Sequence, residues 1–507
     1  MKILFLNPII IYESWPFASD FWRHMMGVIG ITYPQLAAVI PNDDVAIFDG
    51  FTERIEHSDY IRLLLNYDII AITAVSSVTA LNIEANIKLI KMLAKEVKVI
   101  LGGHHATFYA KEWLEKGADI IILNEGEQTF KETIAVLKQK GDLSKVNGIA
   151  FRIEKEIIYT QRRPLIKNLD TLPMPKWDLI RFQLYQNVFG NKQPCAAIET
   201  SRGCSFGCVF CCVHTMWEGM QRYKSIDRVV EEFNILKQRG AKNIFIADDN
   251  FGSNMLRDRE ILEKIIDLNV NLWMFCRADT VFNNPEFILL ASRAGLKEVF
   301  VGFEDVSDEG LEFYHKGMDD IDAISHYKQA YEILHRNNIL VLGSFVANPL
   351  NNKRSKKNIA ISYNSICDVA LHLNIIPMKG TKIYEELMRQ NKLCGDTFYA
   401  DRMLCVFNDY NIQKGCVLFW KSLSGLINIK VLKLLFTFSK CKIWHRRRLC
   451  HIFGCLFKNV SNISFSKIKF LIIFLSPYLS PQIKQQKMRN EYLNKQFLSD
   501  FIISKDI

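Results

Sequence analysis

The stretch CAAIETSRGCSFGCVFCCVHTMWEG, residues 195–219, starts as a short apolar run and opens into a loop holding four of the chain's 13 cysteines. Cys204, Cys208 and Cys211 are spaced C-x3-C-x2-C, and Cys212 follows directly. With Gly203 and Gly207 beside them, thiolates this close can converge on one soft metal site. A disulfide knot does not suit a chain read as cytoplasmic, where thiols stay reduced. Zinc would want a fourth protein ligand. The neighbours Cys211 and Cys212 do not readily point at one ion, and no second C-x2-C or H-x3-H pair follows. A redox pair is a weaker reading, because this C-x2-C encloses Val-Phe and lacks a thioredoxin-like context. Three ligands with the fourth position open suit a 4Fe–4S cluster whose unique iron binds a further molecule.

Downstream of the loop, apolar runs recur as NIFIADDN (243–250), NLWMFCRA (271–278), EVFVGFED (298–305), ILVLGSFVA (339–347) and VALHLNIIP (369–377). Helical patterns fit between them. One begins at Ser225 as N-cap, places Val229, Val230, Phe233 and Leu236 on one face, and stops at Gly240. Together with residues 195–201 these make six βα units over residues 195–390. That predicts a (β/α)6 partial TIM barrel with its site at the strand carboxyl ends.

Upstream, KILFLNP (2–8), VAIFDG (45–50), DIIAITAV (68–75), VKVILGG (97–103) and ADIIILNEGE (118–127) read as buried parallel strands, with helices such as residues 80–96 between them. Residues 1–150 are therefore expected to form a doubly wound α/β domain of the Rossmann or flavodoxin-like type. Its ligand would sit at the strand ends. Those ends carry Asn7-Pro8, Asp49-Gly50, Ser76-Ser77, Gly102-Gly103-His104-His105 and Glu125-Gly126-Glu127. No G-x-G-x-x-G follows the first strand, which disfavours a nicotinamide site. Residues 151–194, with two prolines in NLDTLPMPKWDLI, read as a linker without a clear element.

The net charge of +10 is concentrated at the end of the chain: residues 430–507 hold 15 Lys plus Arg against 3 acidic residues. The other residues are nearly balanced, which excludes a broad nucleic-acid-binding face. Residues 391–507 are expected to be a basic, mostly helical extension. The mixture of aromatics and cations in 417–480 suits peripheral contact with an anionic membrane surface. No signal peptide is visible, and no apolar run reaches the roughly 18 residues needed to span a bilayer. The expected location is cytoplasmic, with possible peripheral membrane contact.

The cysteine spacing, with Phe210 before the last cysteine, resembles the radical S-adenosylmethionine (SAM) superfamily. Three further segments fit it: ADDNF (247–251), VGFEDVSDEGL (301–311) and NIIPMKGTKIYEEL (374–387). The front domain, with GGHHAT and NEGEQTF, resembles the cobalamin-binding domain that precedes the barrel in one subclass. That subclass includes methyltransferases and the anaerobic magnesium-protoporphyrin ester cyclase. The resemblance implies that Cys204, Cys208 and Cys211 hold a 4Fe–4S cluster and that Asp248, Asp249 and Glu304 lie near SAM. It further implies that Ser76, Gly102, Gly103, His104, Glu125, Gly126 and Glu127 face cobalamin. The expected reaction is reductive SAM cleavage to a deoxyadenosyl radical, fed by a flavodoxin- or ferredoxin-type electron donor. Methyl transfer or oxidative cyclisation on a lipid- or tetrapyrrole-like small molecule would follow. The alternatives are a front domain that serves only as scaffold, or a non-catalytic cobalamin or metal sensor.

Three departures stand out. The D-x-H-x-x-G motif is absent, FVANPLNNKRS replaces the glycine-rich fifth-strand turn, and Asp305 stands where Ser is commoner. From the residues alone, either aspartate of the 248–249 pair also fits a turn cap. Cys212 and Cys276 read as packed thiols, and His214 and Trp217 as loop packing. Tyr314 and His315 fit a helix surface as well as a substrate contact.

Overall fold

A computed structural model describes residues 1–9, 30–53, 55–185, 193–316, 322–347, 358, 366–393 and 397–399. The front sheet contains β1 (Lys2–Asn7), β2 (Asp44–Asp49), β3 (Ile69–Thr73), β4 (Lys98–Gly102), β5 (Ile120–Ile122), β6 (Ile149–Ile153) and β7 (Glu156–Tyr159). Its order is β2-β1-β3-β4-β5-β6-β7. The first five strands pair in parallel, and β6 and β7 add antiparallel. Side chains alternate along each strand between two cores. Leu4, Leu6, Ile70, Ile72 and Leu101 enter one, and Ile3, Phe5, Ile69, Ala71 and Ile100 enter the other. Both faces are therefore covered, which is why these strands read as unbroken apolar runs.

The boundary expected at residue 150 is corrected here: the front sheet continues through β7, so residues 151–159 are not linker. The rest of the connector wraps the front domain. Gln35 Nε2 donates to Pro173 O at 3.0 Å, and Tyr185 Oη donates to Asp49 Oδ2 at 2.8 Å.

The second sheet has six strands: β8 (Cys195–Ile198), β11 (Asn243–Ile246), β12 (Asn271–Arg277), β13 (Leu296–Glu304), β14 (Leu340–Ala347) and β15 (Val369–Asn374). They pair in chain order and all in parallel. A two-residue ribbon lies beside the cysteine loop, β9 (Ser201–Arg202) against β10 (Arg222–Tyr223). The helix after it, Ile226–Gln238, is capped as its sequence indicates: Ser225 Oγ accepts from Arg228 N–H, and Val229, Phe233 and Leu236 are buried.

The two modules are sewn together. Lys379 N–H, in the loop after β15, donates to Tyr109 Oη at 3.1 Å, and Lys379 Nζ pairs with Glu112. Phe398 is fully buried in the front core, and its carbonyl meets His105 Nε2 at 3.0 Å. Residues 391–507 are thus not wholly a separate appendage. The expectations of a basic, mostly helical extension and of peripheral membrane contact fall on residues 400–507, which lie outside the described residues, as do residues 348–357.

Candidate active site at the seam of the two modules

The cysteine loop leaves the carboxyl end of β8, and its backbone dictates its shape. Gly203 has φ +96°, and a Cβ there would lie 2.1 Å from Met220 O, so no other residue fits. Cys211 N–H closes a turn on Cys208 O at 3.1 Å, Val209 N–H donates to Tyr314 O, and Ile383 N–H donates to Val209 O. Phe210 packs edge-on to Tyr314, with centroids 5.5 Å apart. Tyr314 is fully buried, so of its two readings the helix-surface one fails: it is the floor under the loop.

All four loop cysteines are free and half-buried. Burial pushes the Cys211 thiol up to about 12 and the Cys212 thiol up to about 11. Burial also raises Cys204. Thiols this hard to ionise are poor redox nucleophiles, and a bound metal would have to draw the protons off. Among the described residues no three His, Cys, Asp or Glu side chains gather as a single-ion site. Cys276 is buried and packed.

Strand alternation puts the polar ends of the middle strands on one face with the loop. Arg277, which ends β12, stacks its guanidinium 3.6 Å from the centroid of Phe206 in the cysteine loop. It is held by Asp279 and by Lys316 O at 2.6 Å. Residues on the same face as Arg277 include Trp273 and Phe275 on β12, Phe245 on β11 and Phe300 on β13, by the register of the pairs. Their rings touch in series: Phe245–Trp273 at 3.7 Å, Phe245–Phe275 at 5.2 Å and Phe275–Phe300 at 5.3 Å. An aromatic wall therefore runs along this face of the sheet, with Arg277 joining it to the loop.

The two aspartates after β11 separate by the same alternation. Asp249 continues the face of Phe245. It accepts from Gly203 N–H at 3.0 Å, is exposed at the cleft surface, and is pushed up to about 6 by the protein crowded around it. Asp248 is buried. It accepts from Thr200 N–H, Thr200 Oγ1 and Ser201 Oγ, each at 2.6 Å. Asp248, expected near SAM, uses these three bonds to anchor the segment that leads into the loop.

Burial also lifts Asp248 to about 6, against the hydrogen bonds from Ser201 and Thr200. A carboxyl raised above its unfolded value contributes stability below about pH 4 and loses that contribution as pH rises through about 6. Asp248→Asn should therefore flatten the decline in unfolding free energy between pH 4 and 7 by roughly 2–3 kcal/mol. Denaturant titration of both proteins at the two pH values checks this, and equal slopes would refute it.

Glu304 ends β13 with φ +64°, a left-handed conformation that is costly for a residue with a Cβ. Its carboxylate is buried against Lys316 Nζ at 3.0 Å. A Cβ on Gly302 would lie 2.4 Å from Glu304 Oε1, so this glycine makes room for the carboxylate.

On the front domain the expected cobalamin residues divide. Gly103 has φ +96°, and a Cβ there would lie 2.7 Å from Ala74 O, so it serves the turn after β4. Gly102 is open, with only Ile122 within 4 Å of a Cβ, and Ser76 is half-buried near the same edge. Burial lowers the His104 pKa below the usual histidine value. Its Nε2 is buried without a partner, and its ring lies edge-on to Trp217 at 5.9 Å. His105, by contrast, spends both ring nitrogens internally, on Phe398 O and on Trp113 Nε1.

Glu125 and Glu127, expected to face cobalamin, are buried against arginines of the other module, Glu125 through both carboxylate oxygens and Glu127 through Oε1 alone. Arg202 donates to Glu125 and to Glu127, both at 2.7 Å, and Arg222 donates to Glu125 at 2.9 Å. Gly126 lies between them as the N-cap of the helix Glu127–Lys138. Arg202, Arg222 and Arg277 went unnoticed in the sequence. The signal available was positional: Arg202 and Arg222 bracket the cysteine loop, and Arg277 ends the apolar run NLWMFCR. A basic cleft of about 360 Å³, lined by Lys91, Lys98, Asp119 and Arg152, lies at the opposite, amino-terminal strand edge and takes no part in this site.

A thiol loop at the mouth of a parallel sheet, faced by a second α/β module, defines a two-module enzyme that works through bound cofactors. Residues 198–353 match the radical SAM superfamily, and residues 28–134 match the B12 binding domain. The chain belongs to the radical SAM superfamily, in the subclass that carries a cobalamin-binding domain, and it is an enzyme. It is 29% identical over 381 residues to an uncharacterized methyltransferase of Pyrococcus horikoshii, covering 72% of this chain and 81% of that protein. It is 30% identical over 253 residues to the anaerobic magnesium-protoporphyrin IX monomethyl ester cyclase of Synechocystis, covering 49% of each. Among solved structures, it shares its fold with the radical SAM methyltransferase TsrM of Kitasatospora setae (TM-score 0.63, 13% identity), covering 91% of this chain and 99% of that one. It also shares it with the cobalamin-dependent radical enzyme OxsB (TM-score 0.61, 16% identity), covering 99% and 84%.

Proposed function

We propose that this enzyme is a cobalamin-dependent radical SAM methyltransferase acting on an apolar small molecule. One observation carries the reading: the thiol loop, Asp249, Arg277 and Glu304 gather at the carboxyl ends of one parallel sheet, beside an aromatic wall. In this reading that sheet is a (β/α)6 partial barrel. The donor set fits a 4Fe–4S cluster, with three free thiols on a single loop. The cluster and SAM together supply a one-electron reductive cleavage, drawing on a flavodoxin- or ferredoxin-type donor. Cys204, Cys208 and Cys211 would hold the cluster. Arg277 places a fixed positive charge beside them, and Asp249 and Glu304 offer carboxylates where a cationic amine or ribose hydroxyls can be received. Phe275 and Phe300 exclude water and hold an apolar substrate by area rather than by hydrogen bonds. That wall supports a lipid- or tetrapyrrole-like substrate.

The front domain fits cobalamin at the seam, where His104 Nε2, Glu127 Oε2 and Arg222 Nη2 are buried without protein partners. These atoms can receive the amide arms of a corrin. The protein reconstituted anaerobically with hydroxocobalamin should retain about one cobalt per chain after desalting, with its iron intact. Trace cobalt beside intact iron would favour the second reading, in which the front domain is a scaffold. That reading has its own observation, since Glu125 and much of Glu127 are committed to arginines.

A further inference from the structure

Arg202 lies two residues before Cys204, and the front domain holds it in a closed cage. Its guanidinium donates to Glu125 and Glu127 of the front domain and to Glu199 at the end of β8, at 2.7, 2.7 and 2.9 Å. Its side chain is 8% exposed. Burial alone would lower its pKa, but Glu127 and Glu199 drive it well above the usual arginine value, so it stays charged. Burial likewise works against ionised Glu199, and Arg202 overcomes it to hold that carboxyl below its usual value. The same cage takes in the far side of the loop. Arg222 pairs with Glu125 and donates to Ile166 O at 2.7 Å. Trp217, six residues beyond Cys211, lies 5.9 Å from the Arg202 guanidinium and 5.4 Å from that of Arg222. His104 of the front domain closes on the edge of the same indole. Both ends of the thiol loop are therefore clamped by side chains of the other module.

We propose that Arg202 is a positioning residue for the iron–sulfur site and that the front domain, through Glu125 and Glu127, sets the conformation of the cysteine loop. The physical argument is geometric. Arg202 joins the loop through Gly203, whose left-handed backbone leaves no slack, and a planar fork held by three carboxylates has one orientation. Movement at the front-domain edge is thereby transmitted to Cys204. The front domain is then more than a cofactor carrier, because the cluster's ligand spacing depends on its docking. This inference rests on the reading of Cys204, Cys208 and Cys211 as cluster ligands.

The test uses the full chain, loaded anaerobically with iron and sulfide, and measures the rate at which a chelator strips the iron. Glu125→Gln and Glu127→Gln keep the shape of the cage but remove charge, and Arg202→Lys keeps charge but cannot bridge three carboxylates. Supporting groups of this kind typically alter metal retention by one to two powers of ten. Glu127→Gln should accordingly lose iron ~10-fold faster than wild type, and Arg202→Lys at least as fast. Tyr60→Phe is the control for general destabilisation: it breaks a buried hydrogen bond to Asn86, 2.7 Å long, inside the front domain. It should lower the melting temperature while stripping at the wild-type rate. If both glutamine variants keep the wild-type rate, or if Tyr60→Phe accelerates stripping equally, the positioning role is wrong. A wild-type chain that takes up no iron would instead sink the ligand reading, and this inference with it.

Discussion

Replacing Cys204, Cys208 and Cys211 together with alanine is expected to abolish iron binding and reduce SAM cleavage to background, while Cys212→Ala keeps both. The first three thiols lie on the loop between the Gly203 turn and the Cys208–Cys211 turn. Cys212 instead caps the short helix Val213–Met216 and falls outside the C-x3-C-x2-C spacing. Iron and acid-labile sulfide analysis, with SAM turnover to methionine and deoxyadenosine, separates the two variants. Full iron in the triple variant would remove the basis of the site. Loss of iron in Cys212→Ala would show that the wrong third thiol has been assigned.

Glu304→Ala should destabilise the protein by about 3–5 kcal/mol, because it leaves the Lys316 ammonium buried without its carboxylate. Lys316 is 4% exposed and Glu304 8%, so solvent cannot take the missing partner's place. Exchanging both, Glu304→Gln with Lys316→Met, should recover most of that loss, since a buried pair replaced by neutral groups of similar volume is often near neutral. The double variant then separates structure from function. If Glu304 also receives SAM, the recovered protein stays folded and cluster-loaded but loses SAM binding in equilibrium dialysis. Wild-type SAM binding by the recovered protein would reduce Glu304 to an ion-pair partner, and the strain at φ +64° would need another account.

Most strands were legible because they are buried on both faces and therefore read as continuous apolar runs. The β6–β7 hairpin was not. It is exposed over much of its length, and its turn puts Glu154 at φ +50°, so no glycine or asparagine marks it. The cysteine triad was legible because its three ligands lie within one loop. The cage around Arg202 was not, because Glu125 and Glu127 lie 77 and 75 positions away in the chain. A strand-end carboxylate looks the same in sequence whether it meets a ligand or an arginine. The choice between Asp248 and Asp249 was accessible in principle: alternation from Phe245 through Ala247 places Asp249 on the face of the aromatic wall and turns Asp248 away.

The central claim is that the three-thiol loop holds a cluster with one open iron, at the mouth of a barrel that uses SAM. Mössbauer spectroscopy of protein reconstituted anaerobically with iron-57, recorded without and with SAM, tests it most directly. The account predicts one 4Fe–4S cluster per chain, with a single iron site whose parameters shift when SAM is added. A spectrum that SAM leaves unchanged, or a chain that binds zinc in place of iron, would contradict it.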